Sequence, residues 1–174
     1  MLDTVSRSNN LVVKKVSSIS KLPTCPAVYA MYGGKGRGVY VAYVGTSKSL
    51  KQRMGQHLVN RDSSVTTGTS AVGLNADYVT KIAWWEHPKF DDQDFLRAAE
   101  LVAFDVLNPA LRSRGQVTDR AKQLHTSKDF HKKMKDVFQA EPAGELNMPS
   151  LEEALDRIDE LEKRIGSLEK GKRS

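Results

Sequence analysis

One cysteine in 174 residues leaves no partner for an intramolecular disulfide. Cys25 lies between Pro23 and Pro26, which marks a loop or the start of a strand. No CxxC pair and no Cys/His cluster offers a structural zinc site. The opening MLDTVSRSNN lacks the apolar core of a secretory signal. No run approaches the ~18 apolar residues of a membrane span. A reducing cytoplasm is the expected compartment, with no membrane partner. Internal repeats, a helix-turn-helix pattern and zinc fingers are all missing, so no familiar DNA-reading module is in view.

Acidic residues are also in deficit. The formal net charge is +6 and the sequence pI about 9.4, a balance that suits a polyanionic partner. Residues 1–149 hold 21 Lys and Arg against 14 Asp and Glu, while 150–174 hold 6 against 7. The excess is densest over 112–135, with eight basic residues against Asp119 and Asp129. A charge run is as often a solvated helix face as a binding surface.

AVYAMY (27–32) and VYVAYVG (39–45) are rich in β-branched and aromatic residues and predict a hairpin across GGKGRG. That glycine-rich tip is not followed by Ser or Thr after a Gly-Lys pair, so it reads as a basic turn rather than a phosphate loop. Thr46 or Ser47 is placed to cap a helix over about 48–59, with Leu50, Met54 and Leu58 on one stripe and Arg53 and His57 on the next. DYVTKIAWWEH (77–87) predicts a third strand whose two tryptophans point to opposite faces, one into the core and the other either open to stacking or packed under a helix. Asp91 or Asp92 starts a helix over 93–107 that ends at Asn108-Pro109. Glu100 falls within it, near its apolar stripe.

After a linker-like EPAGELNMPS comes LEEALDRIDELEKRIGSLEKGKRS. With Leu151 at a, the seam runs Leu151, Ala154, Ile158, Leu161, Ile165, Leu168. Ile at a and Leu at d favour a parallel pair, and Arg157 and Arg164 at g face Glu162 and Glu169 at e of a second copy. An amphipathic helix packing on its own domain is the competing reading.

The ordered set is Tyr29, then Tyr43-Val44-Gly45, then an arginine eight residues on and a histidine one turn later, then Glu100 and Asn108. Over roughly residues 26–112 the chain resembles the GIY-YIG nuclease family, AVY standing for GIY and YVG for YIG. Ala27 in place of the first glycine is the departure. The resemblance implies an α+β fold with a small three-stranded antiparallel sheet flanked by helices. It implies a divalent-metal-dependent DNA endonuclease with Glu100 as the ligand of a Mg²⁺ (or Mn²⁺) ion. Tyr29 would activate or orient the attacking water, its phenol pKa lowered by Arg53 and the metal. Tyr43 would join the same cluster, Arg53 would hold a phosphate oxygen, His57 would shuttle a proton and Asn108 would fix the site or the DNA backbone. Phosphate contacts are expected from Lys35, Arg37, Lys51, Arg112 and Arg114.

The expected organisation is a polar segment (1–25), a nuclease-like core (26–112), a basic helical extension (113–140), a linker (141–150) and a coiled-coil helix (151–174) that pairs two copies. The alternatives are a nucleic-acid-binding protein with the same fold and no chemistry, and a scaffold whose coiled coil matters most.

Overall fold

The structure is a computed structural model that describes residues 13–34, 36–61, 74–113, 115–149 and 151–171. In chain order the elements are β1 (Lys14–Val16), β2 (Ala27–Gly33), β3 (Tyr40–Ser47), α1 (Leu50–Met54) with a π-helical turn (Gly55–Val59), and β4 (Val79–Trp85). Then follow α2 (Gln93–Leu107), β5 (Leu111–Arg112), α3 (Asp119–Thr126), α4 (Lys128–Gln139), β6 (Gly144–Asn147) and α5 (Leu151–Gly171).

The sheet corrects the three-stranded antiparallel expectation. It is mixed and six-stranded, in the order β1-β6-β4-β2-β3-β5. Strands β4, β2 and β3 form its antiparallel centre, while β1 joins β6, and β5 joins β3, in parallel. The three further strands have only two to four residues each, too few to leave a period of two in a sequence. They pair because the outer edges of β3 and β4 would otherwise present unpaired N–H and C=O groups. One consequence falls on the domain plan. The stretch expected as a linker contains β6, and the N-terminal polar segment contains β1, so both belong to the sheet. Gly144 makes the β6 pairing feasible: a Cβ there would fall 2.1 Å from Trp84 Cζ2 and 2.8 Å from the Lys14 carbonyl.

Alternation along the central strands divides the core in two. Val28, Ala30, Val44, Ala83 and Trp85 face α2, α3 and α4, which bury Val102, Phe130, Met134 and Phe138 against them. Tyr29, Met31, Tyr43, Ile82 and Trp84 face the other way, under Leu50 and Met54 of α1. The two tryptophans lie on opposite faces and both are buried, Trp84 at 0% and Trp85 at 4% exposed, the second packed under the helices rather than open to stacking. Asp92 caps α2 by accepting from the N–H groups of Asp94 and Phe95. At the far end Asn108 turns into the left-handed region (φ 45°), and Pro109 follows.

Helix α5 stands apart. Leu155, Ile158, Leu161, Ile165 and Leu168 are all exposed, so the apolar seam is not spent on the chain's own domain. Among the described residues no helix is long and apolar enough to cross a membrane.

Candidate functional site

Strand pairing does the first part of the assembly. Tyr29 on β2 lies directly opposite Gly45 on β3, and Tyr43 projects to the same face two residues earlier. The absent side chain at 45 is the space the tyrosines occupy: a Cβ there would come within 2.8 Å of Tyr29 Oη and 3.0 Å of Tyr43 Oη. The YVG glycine is thus a steric requirement of two converging hydroxyls rather than a turn residue.

Helix α1 supplies the third ring. Ser49, not Thr46 or Ser47, caps it, with its side chain accepting from the Gln52 N–H. Ser47 serves one step removed, as its hydroxyl donates to the Ser49 carbonyl at 2.7 Å. The α geometry lasts only to Met54. From Gly55, a poor helix former, the backbone widens into a π turn closed by Asn60 N–H to the Gly55 carbonyl at 2.8 Å. Such turns often occur at functional sites. This one carries His57 inward, where its Nε2 is hydrogen-bonded to Tyr29 Oη at 2.8 Å. Tyr29, Tyr43 and His57 then form a triangle with ring centroids 5.7–6.0 Å apart. All three are buried.

Burial sets the electrostatics. It pushes the Tyr29 phenol well above its ordinary value, Tyr43 adds to the rise, and Arg53 opposes it. Tyr43 is raised too, again chiefly by burial, with its hydrogen bond to Tyr29 and the charges of Arg53 and Arg97 pulling the other way. The expectation of a lowered Tyr29 pKa is therefore corrected for the chain itself. Arg53 acts in the expected direction, but loss of water around a fully buried phenol outweighs it. Arg53 is part-buried, with Nη1 donating to Gln56 Oε1 at 3.3 Å. It lines a cleft of about 420 Å³ with Ser47, Ser49, Gln52 and the α2 residues Gln93 and Leu96.

Glu100 is fully buried and polar on the opposite side of α2 from water. Its Oε1 accepts from the Ser113 hydroxyl at 2.7 Å, and its Oε2 is ion-paired with Arg97. Arg97 also donates to Ser113 and to the Gly115 carbonyl, and its Nε is buried with no hydrogen-bond partner among the described residues. Burial lowers the Arg97 pKa, while Tyr43 opposes that change. Sequence reasoning did not single out Arg97 or Ser113. The i, i+3 spacing of Arg97 and Glu100 was a usable signal; Ser113 had none, because only the two-residue β5, paired with Tyr43 and Val44, brings it there.

The remaining expected residues divide. Asn108 is exposed at the C-cap of α2, its N–H donating to the Phe104 carbonyl. Arg37 and Lys51 are exposed, and Lys35 and Arg114 lie outside the described residues. Arg112 is exposed but turns toward α2, its guanidinium 5.4 Å from the Phe104 ring centre. The basic extension forms α3 and α4, with Lys122, Lys128, Lys132, Lys133 and Lys135 on the surface.

The chain matches no family model, no curated protein and no solved structure.

Does the donor set fit a divalent ion? An ionised carboxylate offers about four lone-pair positions, and Ser113 and Arg97 take one on each oxygen of Glu100. Lone pairs remain for a hard cation such as Mg²⁺, but Glu100 is 0% exposed, so a hydrated ion would reach it only by displacing its present partners. Arg97 is the competitor for that carboxylate.

Proposed function

We propose that the chain is a divalent-metal-dependent DNA endonuclease using a GIY-YIG-type site. The observation that carries this reading is the buried Tyr29–Tyr43–His57 cluster closed over Gly45. Packing alone gives no reason to bury two hydroxyls and an imidazole in mutual contact, because each buried polar group costs free energy that only pairing offsets.

A raised tyrosine pKa suits a relay better than a phenolate. As the oxygen of a water attacks phosphorus, Tyr29 Oη takes its proton and passes its own to His57 Nε2, so the ring never carries a full charge. The bond to the leaving oxygen breaks as the new bond forms, and that oxygen takes a proton from solvent. Arg53, which lines the cleft, would neutralise a non-bridging phosphate oxygen with a charge that does not titrate. Glu100 would hold Mg²⁺ or Mn²⁺, which when bound offsets charge building on the phosphate. Arg37, Lys51 and the α3–α4 lysines would track the DNA backbone, giving salt-sensitive affinity without sequence preference. The absence of a disulfide partner for Cys25 agrees with a cytoplasmic setting.

The second copy of the chain is the partner proposed for α5. Its exposed Ile and Leu seam and the g-to-e pairs Arg157–Glu162 and Arg164–Glu169 complement themselves in a parallel dimer. Deleting residues 151–174 would then turn a dimer into a monomer in sedimentation equilibrium; a full-length chain that already sediments as a monomer, or a truncated one that stays dimeric, would remove the proposal.

A second reading rests on the Arg97–Glu100 pair: if the arginine holds the carboxylate permanently, the chain binds DNA and does not cut it. The test is cleavage of supercoiled plasmid and a branched duplex at low salt with Mg²⁺ or Mn²⁺. Wild type should cut, and Glu100→Ala and Tyr29→Phe should each lose at least ~100-fold while remaining folded. Salt-sensitive binding of both substrates with no cleavage, in wild type and in Arg97→Ala, would establish the second reading.

A further inference from the structure

The corner between α3 and α4 is unusually tight. Ser127 ends the first helix, its N–H donating to the Leu124 carbonyl, and caps the second, its carbonyl accepting from the His131 N–H at 2.9 Å. Both helices are anchored on α2 by apolar residues, Ala121 from α3 and Phe130, Met134 and Phe138 from α4. That packing holds His125, in the last turn of α3, and His131, in the first turns of α4, beside Asp105 of α2.

The atoms meet closely. His125 Nε2 is 3.1 Å and His131 Nε2 3.5 Å from the same oxygen, Asp105 Oδ2. All three donor atoms lie within 4.8 Å of one another. Zinc bonds to imidazole nitrogen and carboxylate oxygen at ~2.0–2.2 Å, which at tetrahedral angles sets neighbouring donors about 3.3–3.5 Å apart. The two carboxylate–imidazole edges are already near that length, with three side chains from three separate helices. Each is partly open to solvent, at 48% for Asp105, 30% for His125 and 37% for His131.

We infer that Asp105, His125 and His131 form a binding site for a zinc-class transition-metal ion, with the fourth position open to water. Two imidazoles and one carboxylate select Zn²⁺, Co²⁺, Ni²⁺ or Cu²⁺ over Mg²⁺, which demands oxygen donors. The site is therefore distinct in chemistry from Glu100, and the inference does not depend on the nuclease reading. A bound ion ties α3 and α4 to α2 and adds stability only to the folded chain. Without metal the same three groups are a hydrogen-bonded cluster, and that is the alternative to be excluded.

The experiment uses the full-length chain, stripped with a chelator and titrated with Co²⁺ by visible absorption and with Zn²⁺ by calorimetry. One equivalent per chain is expected, with a tetrahedral Co²⁺ spectrum that Zn²⁺ displaces, excess Mg²⁺ does not, and a melting temperature that climbs with Zn²⁺. His125→Ala and His131→Ala should each weaken binding at least ~10-fold. If a histidine variant fails to fold by circular dichroism, Asp105→Asn reads the same site from an exposed position on α2. Absence of the Co²⁺ spectrum at saturating metal overturns the inference. So does binding that survives Asp105→Asn and the folded histidine variants, or that Mg²⁺ competes away.

Discussion

The two faces of the sheet are built from the same strands, often from adjacent residues, and are solved differently. Val28 and Tyr29, or Trp84 and Trp85, are neighbours in sequence that never share an environment. The α2–α4 face is apolar packing: Trp85 meets Phe138 edge-on with centroids 5.6 Å apart, and Phe95 meets Phe130 likewise at 5.0 Å. On the α1 face, by contrast, polar atoms are buried and tied to one another: Tyr29 to His57, Tyr43 beside both, Trp84 Nε1 to Glu86 at 2.9 Å. Apolar residues of similar volume would fill that space without desolvating a hydroxyl. The second face thus buries a polar aromatic cluster, while α2 on the first adds a single buried carboxylate, Glu100, held by Arg97 and Ser113.

The largest expected effect breaks the apolar side. Trp85→Ala removes a ring that is 4% exposed and should cost ~3–5 kcal/mol in urea unfolding, with cleavage per folded molecule retained. Comparable loss of cleavage at full folding would mean the faces are not separable. A smaller disturbance on the other side should do the reverse. Gly45→Ala puts a Cβ 2.8 Å from Tyr29 Oη, an overpacking expected to cost ~1–3 kcal/mol while driving the Tyr29–His57 pair apart and cutting cleavage far more than stability. Parallel denaturation and cleavage curves decide this.

The subtlest effect is in alkali. Both cluster phenols are raised above their ordinary value of 10.0 by burial, so as pH climbs the unfolded chain loses these protons first. Stability should be level below about pH 10 and fall above it as the pH passes toward the folded-state values. Tyr29→Phe removes one of the two groups and should flatten that fall, at a cost of about 1 kcal/mol at neutral pH for its hydrogen bond. An equally steep decline in the variant would place the alkaline sensitivity elsewhere. Measuring the urea midpoint between pH 8 and pH 11 is sufficient.

Much of the framework was legible. Period-two alternation foretold β2, β3 and β4 and the opposed tryptophans. An aspartate cap and an Asn-Pro stop bounded α2, and heptad spacing marked α5 as an amphipathic helix. Elements too short to carry a period were not legible. β5 and β6 exist because neighbouring edges need partners, and that is a property of the assembled sheet. The same limit hid Ser113, which reaches Glu100 only through β5. It also hid the π turn, since Gly55 looks like any weak helix residue until His57 has a tyrosine to meet.

By itself, then, the sequence determined which residues alternate, where helices start and stop, the basic balance of the chain and the ordered set Tyr29, Tyr43, Arg53, His57, Glu100. These are local properties, set by backbone sterics, capping and side-chain chemistry within a few residues. Only the tertiary structure decided that burial raises the tyrosines against the pull of Arg53, that Arg97 holds Glu100, and that Asp105 meets two histidines from other helices. Those outcomes depend on desolvation and on distances between groups far apart in the chain, and both come into being only when the sheet and its helices close together.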